Sequence, residues 1–246
     1  MSAVGLIEWD APGAYRVAFS TRAGGVSEGA FASLNLGIRT EDDPARVVEN
    51  RRLLCEAVGA DPDAATMAWQ RHGATVTRAQ SRGIVTPGTV YDHCDGLWSD
   101  ERGRAMLLIT ADCVPVAIAR MPKPGVRPAL AVLHVGWRGL LAGIVAEGVR
   151  ALGPGLLAAA TGPAIGPCCY EVGEDVAAPS REAFGADVVR EGKLDLWTCV
   201  ERALRAAGVE EVARFDQCTS CDGDRFFSHR RDAGRTGRQG VIAYVT

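Results

Sequence analysis

The sequence predicts an α+β fold, with mixed or antiparallel β-sheets flanked by helices in a single domain spanning residues 1–246. Two observations point there. Apolar strand-like runs alternate with only a few capped helices, and several neighbouring runs are joined by turns, which breaks strict βαβ alternation. With 246 residues, 47% hydrophobic and 23% charged, the chain can bury a large core.

In chain order, a strand is expected over residues 16–20. A helix follows from Pro44, because Asp42-Asp43-Pro44 is a start signal and Val47, Val48, Arg51, Leu54, Cys55 and Val58 recur at helical spacing up to Gly59. Strands are expected at Thr75-Val76-Thr77 and over residues 85–91 and 104–110. A second helix is read over 140–152 with Gly153 as terminator, and a third over 196–207, capped by Asp195 and closed by Gly208. Residues 156–161 and 241–245 complete the strands.

The densest chemistry lies on one predicted hairpin. Val114-Pro115-Val116-Ala117-Ile118-Ala119 and Ala129-Leu130-Ala131-Val132-Leu133 flank a loop rich in Pro and Gly, and symmetry about Pro124 and Gly125 sets Cys113 opposite Gly136. His134 then lies two positions from that partner, on the same face as Cys113, within reach of a shared ion. Asp112, beside Cys113 at a turn, is a candidate carboxylate to orient a ligand. Gly136-Trp137-Arg138-Gly139 leads into a helix, so backbone N–H groups and the Arg138 guanidinium suit an anion the size of phosphate. His72, in Gln70-Arg71-His72-Gly73, reads by its letters as a surface or hydrogen-bonded histidine. Combined with Cys113 and His134 it would make a three-ligand zinc site with an open position, a catalytic pattern. A competing zinc set, Cys218 and Cys221 with His229, is a weaker signal, and Cys168-Cys169 and His93-Cys94 weaker still, because adjacent residues rarely turn both side chains onto one ion. These are expected to be packing or rim residues.

Formal charge −3 and a pI near 5.9 give no footprint for nucleic acid or acidic membrane, so a small-molecule or protein partner is expected. The N-terminal stretch lacks a basic start and a long apolar run, and no window reaches membrane-span length, which predicts a cytoplasmic protein. Eight cysteines in such a chain read as reduced thiols. Monomer and homo-oligomer both remain open.

Ser20-Thr21-Arg22-Ala23-Gly24-Gly25-Val26-Ser27, Ser33-Leu34-Asn35-Leu36-Gly37, Gln70-Arg71-His72-Gly73, Thr110-Ala111-Asp112-Cys113, His134-Val135-Gly136-Trp137-Arg138-Gly139, residues 162–173 and Phe226-Phe227-Ser228-His229-Arg230-Arg231-Asp232 occur in the order seen in the YfiH-like family. Its members have also been described as multicopper polyphenol oxidases or laccase-like proteins. The resemblance covers nearly the whole chain. It implies an α+β fold and a zinc held by His72, Cys113 and His134. It further implies purine nucleoside phosphorylase activity, in which adenosine, inosine or methylthioadenosine plus phosphate gives free base and ribose 1-phosphate, together with adenosine deamination. Peptidoglycan editing of UDP-muramyl precursors carrying the wrong first amino acid is the alternative activity it implies. Arg71 stands where the family has an apolar residue and could alter substrate access; His229 stands where a tyrosine is expected.

In this scheme zinc would acidify a bound water, Arg138 and the helix start would position phosphate, and Asp112 would be orienter or proton carrier. Three other classes stay open. A cysteine hydrolase would use Cys113 as nucleophile and His134 as base. A copper oxidase would need several copper centres, for which four histidines are few, although copper accepts the same ligands as zinc. A non-enzymatic zinc protein would close the site with a fourth protein ligand.

Overall fold

A computed structural model of the chain describes residues 3–84 and 90–246. The strand expected over 85–91 falls mainly outside those residues; Val90 and Tyr91, which are described, are not in a strand.

Two sheets carry the fold. The first is antiparallel, with β1 (Leu6–Glu8), β2 (Tyr15–Ser20), β12 (Gln239–Val245) and β5 (Met106–Thr110) side by side. The second has six strands in the order β11 (Glu211–Arg214), β8 (Leu157–Thr161), β6 (Val114–Arg120), β7 (Leu130–Val135), β4 (Gly96–Ser99), β3 (Val76–Arg78). It is parallel at both outer pairs and antiparallel within. A two-stranded hairpin, β9 (Val189–Arg190) with β10 (Lys193–Leu194), stands apart. The α+β class with mixed and antiparallel sheets is therefore the one expected.

Alternation along the strands sorts side chains into layers. Phe19, Leu108 and Val241 of the first sheet meet Ala117, Ala160, Leu130 and Val132 of the second in a buried layer between them. The opposite face of the six-stranded sheet, with Val116, Ile118, Leu133 and Ala159, is covered by α3 (Ile144–Leu152) and α5 (Leu196–Ala206). The outer face of the first sheet, with Ala18, Leu107 and Ile242, is covered by Leu54, Cys55 and Val58 of α1 (Pro44–Val58). Each strand face thus finds an apolar partner. Close approach of the sheets needs small residues: a Cβ at Gly162 would stand 2.3 Å from the Phe19 ring.

Local signals set the helix ends. The Asp43 carboxylate accepts from the Ala45 N–H at 2.9 Å, Pro44 opens α1, and Gly59 closes it at φ 74°. The Asp195 carboxylate caps α5 by accepting from the Thr198 N–H at 3.0 Å. The helix expected over 140–152 is instead two: α2 (Trp137–Leu141) and α3, separated at Gly143, whose φ of 89° is left-handed. A left-handed residue ends one helical path and redirects the next, which a glycine permits at little cost. The sequence reading missed α4 (Glu174–Phe184), which contains Pro179 yet buries Val176 and Ala177 against the helical layer. Packing there overrides a residue that argues against helix.

The hairpin register is the one symmetry about Pro124 and Gly125 requires: Val114 pairs with Val135 and Ala119 with Leu130. Ile118, fully buried on the helix-facing side of β6, tests the layer assignment. Ile118→Ala is expected to lower unfolding free energy by ~2–5 kcal/mol in denaturant titration, without changing metal content, since the residue faces away from the site.

Candidate metal centre and its cavity

Cys113 immediately precedes β6 and His134 is the penultimate residue of β7, both on the inter-sheet face, so the site opens where the layer between the sheets ends. His72 comes from the loop before β3. One ligand atom from each of His72, Cys113 and His134 lies within 4.8 Å of the other two. The imidazole rings are 4.7 Å apart between centroids and inclined at 74°. Gly136 makes this convergence possible, because a Cβ there would sit 2.9 Å from Cys113 Sγ and 3.1 Å from the His72 ring.

Asp95, just before β4, holds the two histidines. Its carboxylate accepts the backbone N–H of Arg71 at 3.0 and 3.1 Å, of His72 at 2.8 Å and of Gly73 at 2.8 Å. It also lies 2.8 Å from His134 Nδ1. Burial alone would raise the Asp95 pKa, but the His134 hydrogen bond and the Gly73 and Arg71 amides outweigh it and hold the carboxyl below its usual range. An ionised carboxylate only accepts, so Nδ1 carries the proton and Nε2 is left to ligate, the arrangement of a carboxylate-oriented metal-binding histidine. The same contacts hold His72 at φ 60°, a left-handed conformation rare outside glycine. Nothing around Asp95 in the sequence marks it as functional; its role comes entirely from distant segments meeting.

The electrostatics suit a thiolate. Burial pushes the Cys113 thiol up, but the His134 charge and hydrogen bonds from His134 and His72 bring it down to about 6. Burial pushes His134 down, and the Cys113 charge together with hydrogen bonds to Asp95 and Cys113 raise it well above the usual histidine value. Two imidazoles and a thiolate, with one imidazole orientation fixed by a carboxylate, are a donor set that fits zinc. Among the described residues this cluster stops at three donors.

Asp112 is turned otherwise. At φ 89° it swings Cys113 toward the cavity, while one carboxylate oxygen accepts from Thr219 Oγ1 at 2.6 Å and the other from the Arg230 N–H at 2.7 Å. Arg138 lines the cavity with its guanidinium 4.2 Å above the Trp137 ring. Its helix, α2, has five residues, so the macrodipole at its start is small. Arg71 does not line the cavity; its guanidinium lies 3.4 Å from His93 Nε2. His229 does line it. Among the described residues, Cys218 and Cys221 group with Cys168 and Cys169, not with His229. Adjacent Cys168 and Cys169 thus bring both sulfurs into one cluster, an arrangement the sequence pattern makes rare.

The cavity, about 460 Å³, runs from the three donors past residues that the sequence reading did not single out. Arg39 lies 4.0 Å above the Trp69 ring and Arg230 5.2 Å above Tyr170. Thr110 Oγ1, also on the cavity wall, is buried without a hydrogen-bond partner. Thr110, Tyr170 and Arg230 fall within the motif stretches but carry no assigned role there, and Arg39 and Trp69 fall outside them; the five gather from separate stretches of chain.

Fold and site together define a family. The family model described as "Multi-copper polyphenol oxidoreductase laccase" matches residues 16–246, and the chain belongs to this family, that of the YfiH proteins. A purine nucleoside phosphorylase of Pseudomonas aeruginosa is 39% identical over 251 residues, covering 97% of this chain and 96% of that protein. Purine nucleoside phosphorylase YfiH of Escherichia coli is 35% identical over 257 residues, with 100% of both chains covered. The crystal structure of YlmD from Geobacillus stearothermophilus superposes with a TM-score of 0.88 at 33% identity, covering 100% of this chain and 97% of that one. Among the described residues, no helix is long and apolar enough to cross a membrane.

Two outcomes follow from the geometry. Asp95→Asn keeps the size but loses the charge that orients His134, and is expected to weaken zinc binding about 10–100-fold in chelator competition. Zinc affinity should also depend on pH with a break. Above about pH 6 Cys113 is already a thiolate, so the ion displaces chiefly the His134 proton and affinity rises about tenfold per pH unit until that proton is lost. Below about pH 6 the thiol proton must be displaced as well, and the dependence steepens to at least about a hundredfold per unit. Competition titrations from pH 5 to 8 would show the change of slope.

Proposed function

We propose that the chain is a zinc-dependent purine nucleoside phosphorylase that also deaminates adenosine. The observation that carries this is a His-Cys-His donor set opening onto a cavity lined by arginines and aromatics, in a family whose relatives are named purine nucleoside phosphorylase. Zinc held by His72, Cys113 and His134 would supply an acidified water or a Lewis acid at neutral pH, and copper accepts the same donors.

In phosphorolysis a phosphate oxygen bonds to the anomeric carbon as the glycosidic bond breaks, and the electron pair leaves with the purine, which takes up a proton. The protein must therefore hold an anion beside the sugar and grip the base. Arg39 and Arg138 serve the first need. Stacking occupies the faces of their guanidiniums, and among the described residues neither is in an ion pair, so the in-plane N–H edges suit phosphate oxygens. Met67, Ile109, Ile165 and Tyr170 offer apolar surface to the base, and Thr110 Oγ1 offers a hydroxyl to the nucleoside. Asp112, with both oxygens engaged, acts by positioning Cys113 and the loops that carry Thr219 and Arg230.

One observation favours a second reading. A low-pKa thiol beside a histidine that is itself held by a carboxylate is also the arrangement of a cysteine nucleophile, with Cys113, His134 and Asp95 in line. His72 against the thiol weighs toward the metal. A multicopper oxidase needs more imidazoles than this chain's four histidines, of which His72 and His134 share a cluster.

Base release from inosine and adenosine is expected only with phosphate present, to be lost on chelation and to return with zinc. Activity surviving thorough chelation, with covalent trapping of Cys113, would select the hydrolase. Amino-acid release from a UDP-muramyl-serine precursor would select peptidoglycan editing. Arg39→Ala and Arg138→Ala are each expected to raise the phosphate KM about tenfold, ~1.4 kcal/mol, with the nucleoside KM little changed. An unaltered phosphate KM removes that arginine from the site.

A further inference from the structure

We propose that Cys168, Cys169, Cys218 and Cys221 form a second metal centre, a tetrathiolate that binds one zinc ion and pins the loop of Tyr170, which lines the cavity, to the loop of Thr219, which holds Asp112. This rests on the thiols alone and stands independently of the phosphorylase reading.

The four Sγ atoms lie within 4.8 Å of one another, and Cys221 Sγ is 3.4 Å from both Cys168 Sγ and Cys169 Sγ. A tetrahedral zinc with Zn–S bonds of about 2.3 Å separates its sulfurs by about 3.8 Å. The observed spacing brackets that edge. A disulfide would instead draw two sulfurs to about 2.0 Å and leave the other pair without a role. Cysteines outside the two donor clusters differ: Cys55, Cys94 and Cys199 are buried, whereas Cys168 and Cys221 are exposed with Cys169 and Cys218 half-buried beside them. Four thiols crowded at the surface are open to oxidation unless an ion takes them.

The backbone is arranged for such a centre. The Cys169 and Tyr170 N–H groups both donate to the Gly166 carbonyl at 3.0 Å, so the adjacent cysteines sit on a tight turn from which both sulfurs reach Cys221. The Gly166 N–H donates to Cys218 Sγ at 3.2 Å, a contact that favours the thiolate. A Cβ at Gly166 would stand 3.3 Å from Cys168 Sγ and 2.7 Å from the Trp197 ring, so only glycine leaves room. The loops are joined beside the thiols, where the Thr219 N–H donates to the Ala164 carbonyl at 3.0 Å and the Ala164 N–H to the Gln217 carbonyl at 3.2 Å.

The pin reaches the cavity through its neighbours. Thr219, between Cys218 and Cys221, donates to Asp112, the residue before Cys113, while Tyr170, next to Cys169, lines the cavity. The thiolate centre therefore has a positioning role and does not touch substrate.

Metal content per chain, measured on full-length protein purified under reducing conditions from zinc-supplied cells, tests this. Wild type is expected to hold about two equivalents of zinc, the Cys168→Ser/Cys221→Ser variant about one, and Cys113→Ser about one. Cobalt added to metal-free wild type supplies a readout that needs no variant to fold. It should give the intense sulfur-to-cobalt absorption of a tetrathiolate, retained in Cys113→Ser and lost in Cys168→Ser/Cys221→Ser. Failure of the other centre would appear separately, as loss of the ion sensitive to Cys113. Zinc content unchanged by Cys168→Ser/Cys221→Ser, iron in place of zinc, or a metal-free Cys168–Cys221 disulfide in non-reducing peptide maps would each overturn the proposal.

Discussion

The Asp95 carboxylate is the interaction on which the site depends. Three successive amides of the loop carrying His72 converge on it, and so does His134 from β7. One buried negative charge therefore sets a loop conformation, a ring orientation and a tautomer together. Burial makes such a charge costly unless every acceptor site is used, and here the donors are peptide groups and a histidine whose own charge the arrangement favours. Removing any donor leaves the rest less compensated, so the network behaves as a unit more than as separate hydrogen bonds.

Layering decides where that unit can sit. Between the sheets the chain uses Ala117, Ala119 and Ala160 opposite larger residues such as Phe19 and Leu108, which lets the layer pack closely along the strands. At the end of β6 and β7 the alternation continues, but the inter-sheet positions become Cys113 and His134. Polar donors thus occupy the face that is apolar one pair earlier. The glycines on the far side keep the space open, since a Cβ at Gly139 would lie 2.7 Å from the Gly73 carbonyl and displace the loop that presents His72.

This geometry explains which parts could be read from the letters. A local turn and period-two alternation are enough to align Cys113 with His134, because both follow from one hairpin register. His72 precedes Cys113 by 41 residues, so no local register ties it to the hairpin, and the family resemblance is what implies its place among the ligands. Asp95 carries no motif, and its partners are meaningful only once two loops and a strand meet. The split at Gly143 was hidden because apolar spacing continues on both sides of it, and α4 because Pro179 argues against helix there. The cysteine cluster is hidden for a similar reason: adjacency argues against convergence on a strand, whereas the turn at Gly166 lets both Cys168 and Cys169 sulfurs reach a third.

His72 and the residue before Cys113 share a structural device that bears on how the cavity is held ready. His72 and Asp112 both adopt left-handed backbone, at φ 60° and 89°, each costing ~1–3 kcal/mol for a residue other than glycine. Each is clamped by hydrogen bonds from a distant segment, His72 through Asp95 and Asp112 through Thr219 and Arg230. The fold itself supplies those partners. Donors held in this way lose little conformational freedom on binding an ion, which favours tight and specific coordination. Since Asp112 is clamped by the loop that carries Cys218 and Cys221, the loop's order is transmitted through one short hydrogen bond to the backbone beside Cys113. The loop of Thr219 and the backbone that presents Cys113 are thereby held together.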